Sequence, residues 1–372
     1  MLRSVEALEP ILDGWRALAE LRGNAFITPE WFLAAIEHLE PGGEPAVVAV
    51  YGEDGVLLGV LPFVYEPASR TLRFAGAGAG DRFHPAADLR DENLVAAAAA
   101  PALDRRGLGW RRVALDGVDA SADWWRTLTS TLPSRSASVA RPPAAYPYIP
   151  LAGRSWDQYL AGRSRQLRSQ LGRKKRGLAK QHQVVIRQTR VRDEVDADLS
   201  SLFALHAARW QSRGRASSMA DRSLPAFHSA FAAAALERGW LRLYVMEVDG
   251  AAAAAWYGWR LGDRWSYFQA GFDPAWSRQS VGFLLLAETI KDASDEQAAE
   301  YDLLLGDEPF KARFAEAERW GQAVVVVPAV HPIRLAAAAG SVARRLWRRL
   351  PSRLRERALS VRARREGRPH AS

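Results

Sequence analysis

The chain contains no cysteine, which excludes disulfides, thiol nucleophiles and cysteine-ligated metals. It also lacks any apolar run near the roughly 18 residues that a membrane-crossing helix requires. Its first twenty residues carry Glu6, Glu9, Asp13 and Glu20, which does not fit a signal peptide. These absences favour a cytoplasmic enzyme or binding protein. Hydrophobic residues, by contrast, make up 48% of the 372 positions and include 14 tryptophans. A chain of this length can bury a sizeable core, with two domains as the simple expectation.

Charge is unevenly placed. Residues 154–192 hold 12 basic residues against Asp157 alone, and residues 332–372 hold 12 arginines against Glu356 and Glu366. The remainder carries 27 basic and 39 acidic residues. The net charge of +9 therefore describes a mildly acidic body with two cationic segments, and each segment needs its own explanation.

In the first part, Leu8, Ile11, Leu12, Trp15, Leu18 and Leu21 recur near helical spacing. Thr28-Pro29 reads as an N-cap and first helical residue. Strands are predicted over 45–51 and 56–64 around an Asp54-Gly55 turn, and over 71–74 and 111–115; helices are predicted over 92–100 and 122–128. Gly76-Ala77-Gly78-Ala79-Gly80-Asp81 lacks a following Lys-Ser/Thr, so it reads as a flexible turn rather than a phosphate loop. Asp81-Arg82-Phe83-His84-Pro85 reads first as a surface loop, although it sets three polar side chains beside a strand end. The prolines between Pro142 and Pro150 predict a boundary, giving domains 1–145 and 151–330 and a tail 331–372.

The second part opens with a predicted helix over 156–180. A narrow leucine stripe (Leu160, Leu167, Leu171, Leu178) faces an otherwise cationic circumference. This is either a solvated face or a polyanion site. Further helices are predicted over 199–213 and 224–236. His206 on the first of them is either a core histidine or a catalyst. Strands over 241–248, 253–260 and 264–272 are joined by Asp249-Gly250 and Gly262-Asp263 turns, which are strong hairpin signals. A loop then leads to a helix over 281–293 with Gly282 in its first turn, an entry that suits an incoming phosphate. Tyr267 and Gln269, two apart on the last hairpin strand, are predicted to share a face. A strand over 301–305 leads to Gly306-Asp307-Glu308-Pro309-Phe310-Lys311. There Asp307 and Glu308 are acid/base candidates at a strand rim, and Lys311 could pair with one of them or hold an anion. The same residues also fit a plain helix cap. A basic amphipathic helix with a disordered end is predicted for the tail, suited to an anionic membrane, to nucleic acid or to packing on the protein itself.

The order of elements in the second part, with its phosphate-receiving turn, resembles the GNAT acyltransferase superfamily. More narrowly, it is similar to the CelD-type branch associated with cellulose and exopolysaccharide biosynthesis. The residues that carry the likeness are Tyr159 with the arginine-rich helix, Leu205-His206, Arg209-Trp210, Arg213-Gly214, Gly239-Trp240-Leu241, Phe272-Asp273-Pro274, Gly282 and 306–311. Phe26–Trp31 and Leu61-Pro62-Phe63 resemble, more faintly, the degenerate first GNAT-like domain of such proteins and of the Fem ligases. The resemblance implies an α/β (α+β) fold: tandem GNAT-like domains, mixed mostly antiparallel sheets flanked by helices.

It further implies direct acyl transfer from acetyl-CoA or another acyl-CoA, without a metal, to an amino sugar or polysaccharide precursor. The protein would be cytoplasmic, with the inner membrane face as an open location. Gln269, Ala270, Gly271, Phe272, Arg278, Gln279, Ser280, Val281, Gly282 and Phe283 would hold CoA. In the family cradle Gln279 and Gly282 match, whereas Leu284 stands where a small residue is usual. Asp307, Glu308, Lys311, Tyr267 and His206 are the catalytic candidates. Phe310 stands where a tyrosine is usual in this branch, leaving Tyr267 or Tyr301 to protonate the departing thiolate. An aminoacyl-tRNA-dependent Fem-like ligase and a non-catalytic scaffold for envelope biosynthesis are the alternatives.

Overall fold

Short-range signals set most of the elements. Thr28 caps the helix that Pro29 starts, its hydroxyl accepting from the Trp31 N–H at 3.1 Å. Asp249 and Gly250 both take positive φ, 52° and 80°, the pairing that a tight hairpin turn needs. The structure is a computed structural model describing residues 1–132, 136–140, 143–212, 214, 217, 219, 221–306 and 308–328. The predicted basic tail therefore lies outside the described residues.

The strands are β1 (Glu44–Tyr51), β2 (Leu57–Glu66), β3 (Thr71–Phe74), β4 (Ala86–Ala87), β5 (Arg112–Asp119), β6 (Ser136–Ala140) and β7 (Ala144–Pro150) in the first part. The second part holds β8 (Val184–Gln188), β9 (Leu241–Val248), β10 (Ala251–Leu261), β11 (Arg264–Phe272), β12 (Glu300–Asp302) and β13 (Ala317–Pro328). The helices are α1 (Leu12–Leu21), α2 (Pro29–His38), α3 (Glu92–Ala99), α4 (Arg105–Leu108), α5 (Trp124–Thr131), α6 (Trp156–Ala161) and α7 (Arg165–Gln181). They continue with α8 (Arg192–Gln211), α9 (Ser223–Glu237), α10 (Val281–Asp295) and α11 (Pro309–Phe314).

Among the described residues thirteen strands join one sheet in the order β1-β2-β3-β5-β13-β7-β12-β11-β10-β9-β8, with β4 on β2 and β6 on β13. Two units repeat one plan within it. In each, an antiparallel three-strand meander (β1-β2-β3, β9-β10-β11) is followed by a helix and a parallel neighbour, β5 or β12. The last strands are exchanged. β7 from the first unit lies against β12, while β13 from the end of the second lies against β5. This is a mixed, mostly antiparallel α/β fold in two GNAT-like halves.

Two expectations are corrected here. The proline-rich stretch predicted as a boundary is β7, an inner strand. Tyr148 pairs with Asp302 on one side and Ala317 on the other, so the segment joins the units rather than separating them. The predicted long helix over 156–180 is broken after Ala161. Ser155 and Gln158 form a capping box on α6, and Ser164 starts α7 afresh by accepting from the Leu167 N–H at 3.2 Å. Two strong caps this close together outcompete helix continuation.

A single aromatic core welds the units. Trp31 of α2 packs edge-on against Phe227 and Phe231 of α9 at 4.8 and 5.1 Å. Phe26 meets Trp259 of β10 at 5.5 Å. Polar ties add to this contact. Buried Asp302 accepts hydrogen bonds from Arg82 of the first unit and Arg319 of β13. The other face of the second unit has its own core under α7 and α10 (Leu167, Leu171, Leu178, Leu285, Ile290).

Candidate active site

β11 and β12 pair for only three residues, Arg264–Ser266 with Glu300–Asp302. Beyond Ser266 the strands part. β11 runs on to Phe272, while the chain after Asp302 turns away through Leu304, whose φ is +55°. The opening is floored by the start of α10. Asp273 accepts from the Ala275 N–H at 2.9 Å and begins a single tight turn, and Ser280 then takes a left-handed φ of 63°. That conformation swings the helix start toward the gap. Ser280 offers α10 no side-chain cap, and the Val281 and Gly282 N–H groups have no acceptor among the described residues.

A cavity of about 220 Å³ fills the opening. Its walls are Tyr267, Ala270, Gly271 and Phe272 of β11, the turn from Ser280 to Phe283, and Arg209 and Phe310. Gly282 faces Phe272, whose ring a Cβ would meet at 3.1 Å. Phe283 turns toward α11, its ring tilted 5.2 Å from that of Phe314 with Arg313 over it at 4.7 Å, and so forms a wall of the cavity. Leu284 lines a different cavity, of about 580 Å³ beneath α7. Its bulk thus lies away from the helix start.

The predicted common face of Tyr267 and Gln269 is not observed. The β10–β11 register slips so that Tyr257 pairs with Gln269 and Gly258 with Tyr267, leaving Phe268 as an extra residue. This bulge turns Gln269 away from the cavity while Tyr267 faces it. Inserted residues reset the alternation of a strand. Gly271 is required by α8, because a Cβ there would overlap the His206 backbone nitrogen. Arg278 and Gln279 lie outside the cavity lining. The Arg278 carbonyl accepts from Lys174, and Gln279 Oε1 is buried without a partner.

His206 uses both ring nitrogens internally. The Trp210 indole donates to Nε2 at 2.9 Å, and Nδ1 meets Ser217 Oγ at 2.8 Å. Burial, helped by Arg209, lowers its pKa to about 4, so the ring is neutral. Tyr301 is bound to Thr289 Oγ1 at 2.8 Å and fully buried, away from any substrate. Tyr267 is pushed up to about 12 by burial, with Arg209 partly opposing, so its phenol keeps its proton. Lys311 is buried; its ammonium donates to the Leu305 carbonyl at 2.5 Å, lies 3.1 Å from Glu308 and sits 5.7 Å above the Tyr267 ring. Asp307 lies outside the described residues.

One contributor escaped the sequence reading of the site. Arg209 is nearly buried, donates to the Ala270 carbonyl at 3.2 Å and lies 5.5 Å from the Phe272 ring, with its Nε unpartnered. Its place beside Trp210 on an amphipathic helix was the available signal. Asp81, noted in the sequence only as a polar residue beside a strand end, reaches across from the first unit to accept from the Leu305 N–H at 3.3 Å.

Residues 165–312 match the model of a family described as an acetyltransferase (GNAT) domain. The second unit has the fold of a GNAT acetyltransferase. The crystal structure of FemX superposes with a TM-score of 0.60 at 12% identity, over 83% of this chain and 95% of that one. The structure of L-PGS from Bacillus licheniformis gives 0.52 at 11%, over 87% and 94%. The C-terminal domain (DUF2156) of a proposed lysylphosphatidylglycerol synthetase from Agrobacterium fabrum gives 0.50 at 14%, over 84% and 96%. These likenesses span both units and show that the two-unit fold is shared. No curated protein matches the sequence. Among the described residues no helix is long and apolar enough to cross a membrane, and no histidine or carboxylate cluster suits a metal.

Proposed function

We propose that the GNAT unit transfers an acyl group from a CoA thioester directly to an amine or hydroxyl of a sugar or cell-envelope precursor. The observation that carries this reading is the gap beyond Ser266, floored by the unpaired N–H groups of Val281 and Gly282. A helix start aimed into a cavity favours a diphosphate, and the unpartnered stretch of β11 offers backbone groups to pantetheine amides. Arg209 supplies a positive charge beside the same wall. Tyr267, neutral and facing the gap, is placed to give its proton to a departing thiolate. The sugar or envelope acceptor rests on the resemblance to CelD-type proteins alone.

Titration calorimetry with acetyl-CoA tests the donor. The unchanged protein should bind it, and Gly282→Trp, which fills the gap beside Phe272, should abolish binding while leaving the circular dichroism spectrum intact. No binding of any acyl-CoA by the unchanged protein would remove this reading.

A second reading, aminoacyl transfer from a tRNA, is favoured by one observation. Arg165, Arg173, Arg176 and Lys180 of α7 are exposed and have no carboxylate partner among the described residues. FemX and L-PGS share the two-unit architecture. Salt separates the two readings, because tRNA binding through many phosphates weakens steeply with ionic strength, and a CoA site with few such contacts responds less.

A further inference from the structure

We propose that the cavity beneath α7 takes an acyl chain of an anionic phospholipid, so that α7 docks the protein on a negatively charged membrane surface. The inference stands apart from the acyl-transfer reading, because this cavity shares no lining residue with the opening between β11 and β12.

The cavity of about 580 Å³ lies between α6, α7, α10 and the strand β8. A space of this size with a mainly apolar lining suits a small apolar ligand. Its floor is Leu160, Leu171, Leu178, Met246, Leu284 and Ala287, and Ile186 of β8 is exposed beside it. Because β8 ends the sheet, no further strand covers that side among the described residues.

Small residues on α7 keep the groove open. Gly172 and Ala179 both line it, and a spacing of two helical turns sets them on one side of the helix. Glycine is a poor helix former, and nothing local demands it at 172. Its φ is not positive, and a Cβ there would meet only the flexible end of Arg176, at 3.0 Å.

Positive charge is in excess at the mouth. Arg168, Lys175 and Lys291 line it with Glu288 as the one acid of the lining, and the Arg176 guanidinium lies beside Gly172. Lys175 meets Glu288 at 3.1 Å, and Lys291 pairs with Asp295. Arg168 donates to the Ala161 carbonyl at 3.0 Å, and neither it nor Arg176 has a carboxylate partner among the described residues. The whole of α7 carries seven basic side chains and no acidic one. Anionic headgroups supply the missing counter-charge. One buried acyl chain together with a polybasic patch is the pair of signals that holds a protein at a membrane surface.

The apolar groove decides between polyanions. A nucleic acid would neutralise α7 but has no chain to lay beneath it. The arginine-rich segment 332–372 and a second copy of α7 would both bring charge of the same sign.

The test uses the full chain and vesicles of phosphatidylcholine, alone or mixed equally with phosphatidylglycerol. Co-sedimentation should show binding to the mixed vesicles only, weakened by salt. Filling the groove with Gly172→Leu and Ala179→Leu together should weaken binding about tenfold, the effect of leaving two methylenes in water, with no loss of thermal stability. Phosphatidylglycerol brominated in its acyl chains should quench tryptophan fluorescence, and Trp156→Phe, which removes the indole that lines the groove, should remove most of that quenching. Should the groove-filled variant unfold, the bromolipid measurement decides alone. The proposal is overturned if mixed vesicles do not bind, if binding is indifferent to groove filling and is lost on removal of residues 332–372, or if the quenching survives Trp156→Phe. Binding of bulk tRNA that Arg168→Gln with Arg176→Gln weakens, without binding of mixed vesicles, would make α7 a nucleic-acid face instead.

Discussion

Acidification should destabilise this fold through its buried histidines, and the size of the effect can be worked out. His84, His206 and His228 are 8%, 2% and 1% exposed. Their folded-state pKa values all lie below the ordinary 6.5: well below for His84, about 4 for His206 and about 3 for His228. Burial is the leading cause in each. Hydrogen bonding agrees, because the Asn24 amide donates to His84 Nε2 at 2.9 Å as the Trp210 indole does to His206 Nε2, and a protonated ring could accept neither. The unfolded chain therefore binds these protons first. Stability is complete above about pH 6.5 and is lost as the pH falls toward the folded values. At pH 5.5 His206 and His228 each remove on the order of 1 kcal/mol, and His84 adds to the loss in the same direction. Asp81, whose folded pKa of about 6 lies above its ordinary value, acts in the opposite sense, as do Glu40, Glu92 and Asp292, which burial also raises. A net loss of about 2 kcal/mol is a large fraction of a typical 5–15 kcal/mol stability. Urea unfolding followed by tryptophan fluorescence at pH 7.5 and 5.5 measures it. His228→Leu, which removes a ring whose Nδ1 has no partner, should shrink the difference by about 1 kcal/mol. A difference below ~1 kcal/mol, or one that His228→Leu leaves untouched, would refute the reasoning.

Asp302→Ala should cost about 3 kcal/mol, because it leaves the part-buried Arg82 guanidinium without its carboxylate, while Arg319 keeps Glu300; thermal unfolding of the variant checks this. A chain cut to residues 151–330 should fail to give a native near-ultraviolet spectrum, because β12 would lose β7 and β13 would lose β5. A cooperative melt from that fragment would show instead that the second unit folds independently within those bounds.

What could be read from the chain in advance follows how local its causes are. The meander β9-β10-β11 was legible because Asp249-Gly250 and Gly262 force the chain to reverse within a few residues. The start of α10 was legible because a glycine follows a polar loop after a strand. Leu284 departs from the small residue of the family cradle, yet it lies under α7 away from the helix start, since a sequence motif gives the order of residues but not which side of the helix each occupies. The Phe268 bulge was missed for a related reason: one inserted residue changes no composition, yet it reverses the face of everything after it. The proline-rich stretch over 142–150 carried a true local signal that was overruled. Ile149 pairs with β12, Tyr146 with β13 and Tyr148 with both, and that tertiary gain exceeds the preference of proline for an edge or a loop.

The exchange of β7 and β13 was the least legible part of the fold. A strand exchange joins residues far apart in the chain, and no window of sequence records it. Once β7 lies beside β12, Tyr146 is carried to the Asp81 carbonyl and the loop ending at Asp81 is pressed against Leu305. The opening between β11 and β12 belongs to the second unit, and the first unit reaches the chain beyond β12 through the Asp81 carboxylate, which accepts from the Leu305 N–H.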